Sequence, residues 1–206
     1  MQSCLDCPPG KYCGGSGGLS APSGDCSAGY FCSGGSSTPS PDGVGGGPCP
    51  EGTYCPAGSP VAVPCSVGSY ANTTASSTCL VCPKGYFCPG LATKMPLNCP
   101  EGNFCGEGTG SMPTACPVGT MGTRTRLSGE EGCESCPGGA YCSQQGLTQP
   151  NGQCKAGFFC PPGSVDAFGR HMSGSPSSRP CPRGGFCNSS SASPSPCPRG
   201  TYLDRE

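Results

Sequence analysis

Small disulfide-rich repeats, each an irregular or short β-hairpin unit stacked into an elongated rod with little or no helix, are the fold class this sequence predicts. Three observations carry the expectation. The 206 residues include 22 cysteines, a density found in secreted disulfide scaffolds because thiols stay reduced in the cytosol. Glycine (37) and proline (26) are abundant, which favours turns over long helices and central strands. A short pattern, CPEGTYC at 49–55 and CPEGNFC at 99–105, recurs along the chain.

An ordinary apolar core lacks material. Hydrophobic residues are 33% of the chain with cysteine counted among them, and there is no tryptophan. Charged residues are 11% and the net charge is −1, so neither highly charged disorder nor a basic surface for nucleic acid or anionic lipid is indicated. No run approaches the roughly 20 apolar residues of a membrane span. Met1-Gln2-Ser3 leads straight into Cys4, and CPRGTYLDRE stops inside a repeat. The chain is therefore read as a piece of a longer extracellular or cell-surface protein whose signal peptide lies outside it.

The period orders the chain into a tandem array over 1–206. Units begin at Cys7, Cys26, Cys49, Cys65, Cys82, Cys99, Cys116, Cys136, Cys154, Cys181 and Cys197, and each has glycine three residues on. An aromatic follows two residues later in all but the Cys116 unit, where Met121 stands instead: Tyr12, Phe31, Tyr54, Tyr70, Phe87, Phe104, Tyr141, Phe159, Phe186 and Tyr202. Proline after cysteine starts a turn, and glycine supplies the positive φ that turn needs. The aromatic is the one large apolar group most units own, so the rings are expected to form the core, covering their own disulfide or packing on the next unit.

The cysteines fall into two classes. Eight units carry a second cysteine six residues after the first, whereas the Cys65 and Cys116 units lack it and are followed by Cys79 in CLVC and Cys133 in CESC. Pairing each first cysteine with the next one along gives Cys7–Cys13, Cys26–Cys32, Cys49–Cys55, Cys65–Cys79, Cys82–Cys88, Cys99–Cys105, Cys116–Cys133, Cys136–Cys142, Cys154–Cys160 and Cys181–Cys187, with Cys4 and Cys197 bonding outside. A scheme shifted by one closes equally well, with C-x-x-C bridges and links such as Cys13–Cys26 and Cys55–Cys65. Both stay open on sequence alone; three tight C-x-x-C bridges weigh against the second. A disulfide closing about seven residues contributes about 2 kcal/mol and one closing about 15 contributes about 3. Ten of them rival the whole stability of a typical domain, about 5–15 kcal/mol. Each unit is expected to contact only its neighbours, as in a quasi-one-dimensional repeat protein.

Two stretches, CSVGSYANTTASSTCLVCPKGYFC (65–88) and CPVGTMGTRTRLSGEEGCESCPGGAYC (116–142), resemble the ephrin-receptor-like cysteine-rich repeat with its C-P-x-G-x-Y…C-x-x-C-P-x-G pattern. That module is similar in style to the cysteine-rich repeats of tumour-necrosis-factor receptors. The resemblance implies extracellular, β-poor, disulfide-laddered modules and agrees with a Cys65–Cys79 bridge. It covers these stretches well and the whole chain loosely, since the other units place the second cysteine directly after the aromatic. It specifies a building block better than a role.

Gly/Ser/Pro spacers are expected at 14–25, 33–48, 161–180 and 188–196, flexible where Gly/Ser-rich and extended where Ser-Pro pairs recur. The sequons Asn72-Thr73-Thr74 and Asn188-Ser189-Ser190 make Asn72 and Asn188 glycosylation acceptors. The Ser-Pro tracts resemble O-glycosylated segments of algal and plant extracellular glycoproteins. No catalytic, cofactor or metal site is expected. The pairs Cys4/Cys7, Cys79/Cys82 and Cys133/Cys136 lie too far apart in sequence for a zinc site and lack a redox βαβ context. His171 is the single histidine, read as a solvated loop residue. Glu130, Glu131 and Glu134 read as a solvated face.

The expectation is a structural array, not an enzyme: a glycosylated stalk or filament subunit of an extracellular coat, matrix or ciliary or flagellar hair. Its partners are other extracellular proteins, or copies of itself in a fibre, and attached glycans, with no nucleic acid. The alternative is the ligand-binding ectodomain of a surface receptor or adhesion protein, whose best candidate site is the irregular stretch 158–180 with Phe168 outside the repeat aromatics.

Overall fold

The computed structural model describes residues 4–15, 19–171 and 178–203; parts of two spacers, 16–18 and 172–177, and the end of CPRGTYLDRE lie outside them. Contacts group the chain into two compact bodies, Met1–Leu97 with Glu107–Met112, and Asn98–Gly106 with Pro113–Glu206. Both use one local device.

That device is a two-stranded antiparallel hairpin, and nine occur among the described residues. They pair β1 (Lys11–Tyr12) with β2 (Gly24–Asp25), β3 (Tyr30–Cys32) with β4 (Gly46–Pro48), β5 (Thr53–Tyr54) with β6 (Val63–Pro64), β7 (Ser69–Tyr70) with β8 (Leu80–Val81), and β9 (Tyr86–Phe87) with β10 (Leu97–Asn98). The series continues with β11 (Asn103–Phe104) and β12 (Thr114–Ala115), β13 (Thr120–Met121) and β14 (Glu134–Ser135), β15 (Ala140–Tyr141) and β16 (Gly152–Gln153), and β17 (Gly185–Phe186) and β18 (Ser195–Pro196). The one helical element among the described residues is a 3₁₀ turn, Glu130–Gly132. The small disulfide-rich hairpin repeat is the fold.

The register is constant. The residue after the motif glycine pairs with the residue just before the next unit's first cysteine: Lys11 with Asp25, Thr53 with Pro64, Asn103 with Ala115, Gly185 with Pro196. Because both ends are pinned, partners stand 11 positions apart in one unit and 18 in another, Tyr30 with Pro48, without altering the hairpin. Three stretches read as spacers therefore end in strands, at β2, β4 and β18. The Cys154 unit keeps the register with a single bridge, Phe158 to Pro180.

The core corrects the sequence reading. Among the described residues the buried side chains are chiefly cysteines, joined by Pro41, Ala71, Leu127 and the serines Ser36, Ser59 and Ser164. The repeat aromatics are half-buried, and Tyr202 is 84% exposed. A two-stranded hairpin has no second layer to cover a ring from both sides, so a ring that faces a glycine lies along its own hairpin instead. Tyr12 lies against Gly24, Phe31 against Gly47 and Tyr141 against Gly152, each the glycine directly opposite it. The rings occupy space that those glycines leave open.

A second turn in most units extends the contacts beyond nearest neighbours. Its left-handed residue is glycine in some units (Gly58, Gly146) and Ala75, Ala92, Arg126 or Ser190 in others, with φ between 56° and 76°. The N–H of this residue donates to the carbonyl of the preceding unit's first cysteine: Gly58 to Cys26 (2.8 Å), Ala75 to Cys49 (2.8 Å), Arg126 to Cys99 (2.8 Å). Its own carbonyl lies against the motif glycine one unit further back, Gly58 on Gly10 and Ala75 on Gly29 in one body, Gly146 on Gly102 in the other. Three consecutive units thus interlock. A non-glycine residue in this conformation costs about 1–2 kcal/mol, and here the hydrogen bond to the cysteine carbonyl offsets part of it. Hydroxyls brace both kinds of turn by donating three residues back, Thr53 to Pro50 (2.7 Å) and Ser59 to Pro56 (2.6 Å).

Candidate functional site

The bonded pairs are Cys7–Cys13, Cys26–Cys32, Cys49–Cys55, Cys65–Cys79, Cys82–Cys88, Cys99–Cys105, Cys116–Cys133, Cys136–Cys142, Cys154–Cys160 and Cys181–Cys187. This is the within-unit scheme, with Cα–Cα distances of 5.7–6.2 Å that span a disulfide without backbone distortion. Cys79 and Cys82 bond away from each other, as do Cys133 and Cys136, so neither pair is a dithiol. Cys4 and Cys197 carry no disulfide.

In most units the motif glycine ties the loop closed by its bridge to the next unit. The N–H of Gly52 donates to the Ala71 carbonyl (2.7 Å) and its carbonyl accepts from the N–H of Cys65 (2.9 Å). Gly119 does the same with Cys142 and Cys136, both at 2.9 Å. One glycine therefore satisfies two buried backbone groups of the next unit.

In the two wide-loop units the sixth position holds Ala71 and Gly122, both buried. Their N–H groups donate to Thr93 (3.1 Å) and Leu147 (2.8 Å), as Cys55 donates to Ser76 (2.9 Å). The backbone of a unit is the same whether or not its sixth residue is cysteine. Sequence reasoning missed this. The signal was there in the small size of both replacements; at Gly122 even a methyl would sit 2.8 Å from the Gly102 nitrogen.

Asn72 and Asn188 are both exposed, and both directly follow a buried sixth position, Ala71 and Cys187. They occupy equivalent places at the mouth of the second turn.

The Cys154 unit departs from the others. Phe158 stands where most units have a small or polar residue, and its ring meets that of Phe168 edge-on, with centroids 5.1 Å apart and planes at 81°. The Lys155 ammonium lies 5.6 Å and the Arg170 guanidinium 6.0 Å from the Phe168 centroid, within cation–π range. Phe158, Phe168, Arg170 and Ser178 line a cleft of about 410 Å³. Asp166 holds this loop: Oδ1 accepts from the backbone N–H of Phe168 (3.0 Å) and of Arg170 (3.1 Å), and Oδ2 pairs with the Arg170 Nε. His171, half-buried, bridges to Ser164, with its imidazole over Gly163. Of this cluster sequence reasoning singled out Phe168 and the stretch containing it; Lys155, Asp166 and Arg170 have no periodicity to mark them.

Burial works to raise the Asp166 carboxyl, but the hydrogen bonds from the Arg170 backbone and guanidinium and from the Phe168 backbone outweigh it. Its pKa is lowered from the ordinary 3.8. A carboxyl whose folded pKa is depressed stabilises at pH above the unfolded value, and that contribution is lost as pH falls through the folded one. Acidification below 3.8 is therefore expected to loosen the 164–171 loop while the flanking disulfides hold. Hydrogen exchange of the Phe168 and Arg170 amides checks this: protection falls in acid, and Asp166→Asn shows the weaker protection already at neutral pH.

Among the described residues no group of three or more His, Cys, Asp or Glu side chains is arranged to hold a metal ion. No helix among them is long and apolar enough to cross a membrane. Ten disulfides fit an extracellular or secreted protein, and a cysteine-rich repeat array with a structural or binding role is what the fold supports. No protein-family model matches this chain, and no curated protein sequence is similar to it.

Proposed function

We propose that this chain is a structural, glycosylated array that serves as a stalk or filament subunit of an extracellular coat, matrix or ciliary or flagellar hair, with no enzymatic activity. The supporting observation is the constant register: one hairpin, one bridge and one glycine bond set recur while the loop between the strands varies in length. Such a design tolerates sequence change in its loops and keeps its spacing, which suits a load-bearing or space-filling element. Asn72 and Asn188 are its glycan carriers, and it works through other extracellular proteins or copies of itself. The module is of the ephrin-receptor-like kind in this reading. The ligand-binding ectodomain remains the second reading because one unit, at Cys154, carries an aromatic cleft.

Electron microscopy of the oxidised chain, secreted from a eukaryotic host and analysed for intact glycopeptides, tests the first reading. Fibres or regular oligomers that grow with concentration, with sugar on Asn72 and Asn188, are expected. Bare, monodisperse particles at every concentration would count against it.

A further inference from the structure

We propose that the cleft of the Cys154 unit binds acidic polysaccharide, a sugar chain carrying carboxylate or sulfate groups. The proposal goes beyond the structural role and does not rest on it.

The cleft, at about 410 Å³, has the size of a ligand site, about 300–1,000 Å³. Its lining fits a charged sugar. Phe158 and Phe168 supply apolar surface for the C–H groups of a pyranose ring, and the Ser178 hydroxyl can both donate and accept. Arg170 and Lys155 bring two exposed cations around one ring. The Asp166 carboxylate holds the Arg170 guanidinium through Nε, so the group is positioned before any ligand arrives and loses less freedom on binding. A guanidinium has five N–H donors in a fork suited to carboxylate or sulfate oxygens, and this ion pair engages Nε.

The distribution of charge points the same way. Between residues 135 and 206 stand Lys155, Arg170, Arg179, Arg183, Arg199 and Arg205, against Asp166, Asp204 and Glu206. Before residue 135 the balance is reversed, with Glu51, Glu101, Glu107 and the Glu130, Glu131, Glu134 group among the acids. At the cleft itself Lys155 and Arg170 flank the Phe168 ring and the backbone N–H of Arg179 donates to the Phe168 carbonyl (2.8 Å), against the single carboxylate of Asp166, and that local excess of cations draws an anion. A second copy of this chain could offer carboxylates to the same place, but those carboxylates bring no ring-shaped apolar face to fill the cleft. An acidic sugar brings both.

The test is titration of the oxidised full chain with polygalacturonate, dextran sulfate and neutral dextran, at low and high salt. Binding to at least one acidic polymer and none to dextran is expected, and the preferred polymer tells carboxylate from sulfate. Lys155→Gln with Arg170→Gln is expected to weaken binding about tenfold or more, as for two lost charge-assisted contacts. Lys84→Gln with Lys94→Gln, the same charge change elsewhere, is expected to leave it nearly unchanged. Phe168→Leu keeps the charges and is expected to cost about three- to tenfold. Lys155→Gln alone, at an exposed position, serves should the loop variants misfold, and is also expected to weaken binding. Equal losses in the two double variants, full binding by Lys155→Gln with Arg170→Gln, no preference over dextran, or salt-sensitive self-association that acidic polymers do not displace would each overturn the proposal, leaving the stalk reading to its own test.

Discussion

Replacing Gly52 with alanine is expected to open the array across three consecutive units. Gly52 has φ +83°, a conformation that costs an L-residue about 1–2 kcal/mol. The added methyl would lie 2.8 Å from the Ala92 carbonyl carbon and closer still to its oxygen. That carbonyl belongs to a second turn, which is itself tied to Cys65 by the Ala92 N–H (2.9 Å). Neither side can yield cheaply, because moving Gly52 also breaks its bonds to Ala71 and Cys65. Strain and lost hydrogen bonds together are expected to cost about 3 kcal/mol or more. Gly90→Ala is the control, since nothing lies within 4 Å of its added methyl and its φ is not positive. It is expected to change stability by less than about 1 kcal/mol and could stabilise. Hydrogen exchange at the amides of Gly52, Cys65, Ala75 and Ala92 reads the difference; comparable protection in the two variants would show that the close approach matters little.

How far the sequence discloses this architecture follows from which features are periodic. The units, their turns and their motif glycines show plainly, because each Cys-x-x-Gly places a residue that must take positive φ. Hairpin strands of two residues are too short for an alternating pattern, so the pairing of Thr53 with Pro64 has no signature beyond its distance from the next cysteine. The second turn is harder still. Ala75, Ala92, Arg126 and Ser190 occupy a position that glycine fills elsewhere, and their common role emerges only when the carbonyls of Cys49, Cys65, Cys99 and Cys154 are seen to accept from them. The aromatics mislead for a physical reason: a ring is normally core material, but here sulfur fills the interior and Tyr12, Phe31 and Tyr141 cover glycines on the outside. At the candidate site Phe168 was legible as an aromatic out of phase with the repeat. Its neighbours Lys155 and Arg170 are ordinary charged loop residues until the fold gathers them around its ring.

The buried side chains are half-cystines with few other large groups, so the covalent cross-links must hold what apolar burial holds in other proteins. Each bridge between residues six apart contributes about 2 kcal/mol, and Cys65–Cys79 and Cys116–Cys133 about 3 each, while the buried apolar side chains besides cysteine among the described residues are Pro41, Ala71 and Leu127. Once the bridges are cut, hairpins of two-residue strands have no means of persisting. The decisive measurement is amide hydrogen exchange on the oxidised chain and on the same chain fully reduced and thiol-blocked. Protection at the motif glycines and first cysteines throughout the oxidised array, and its loss along the whole chain after reduction, is the predicted result; retained protection and unchanged heat resistance in the reduced chain would contradict it.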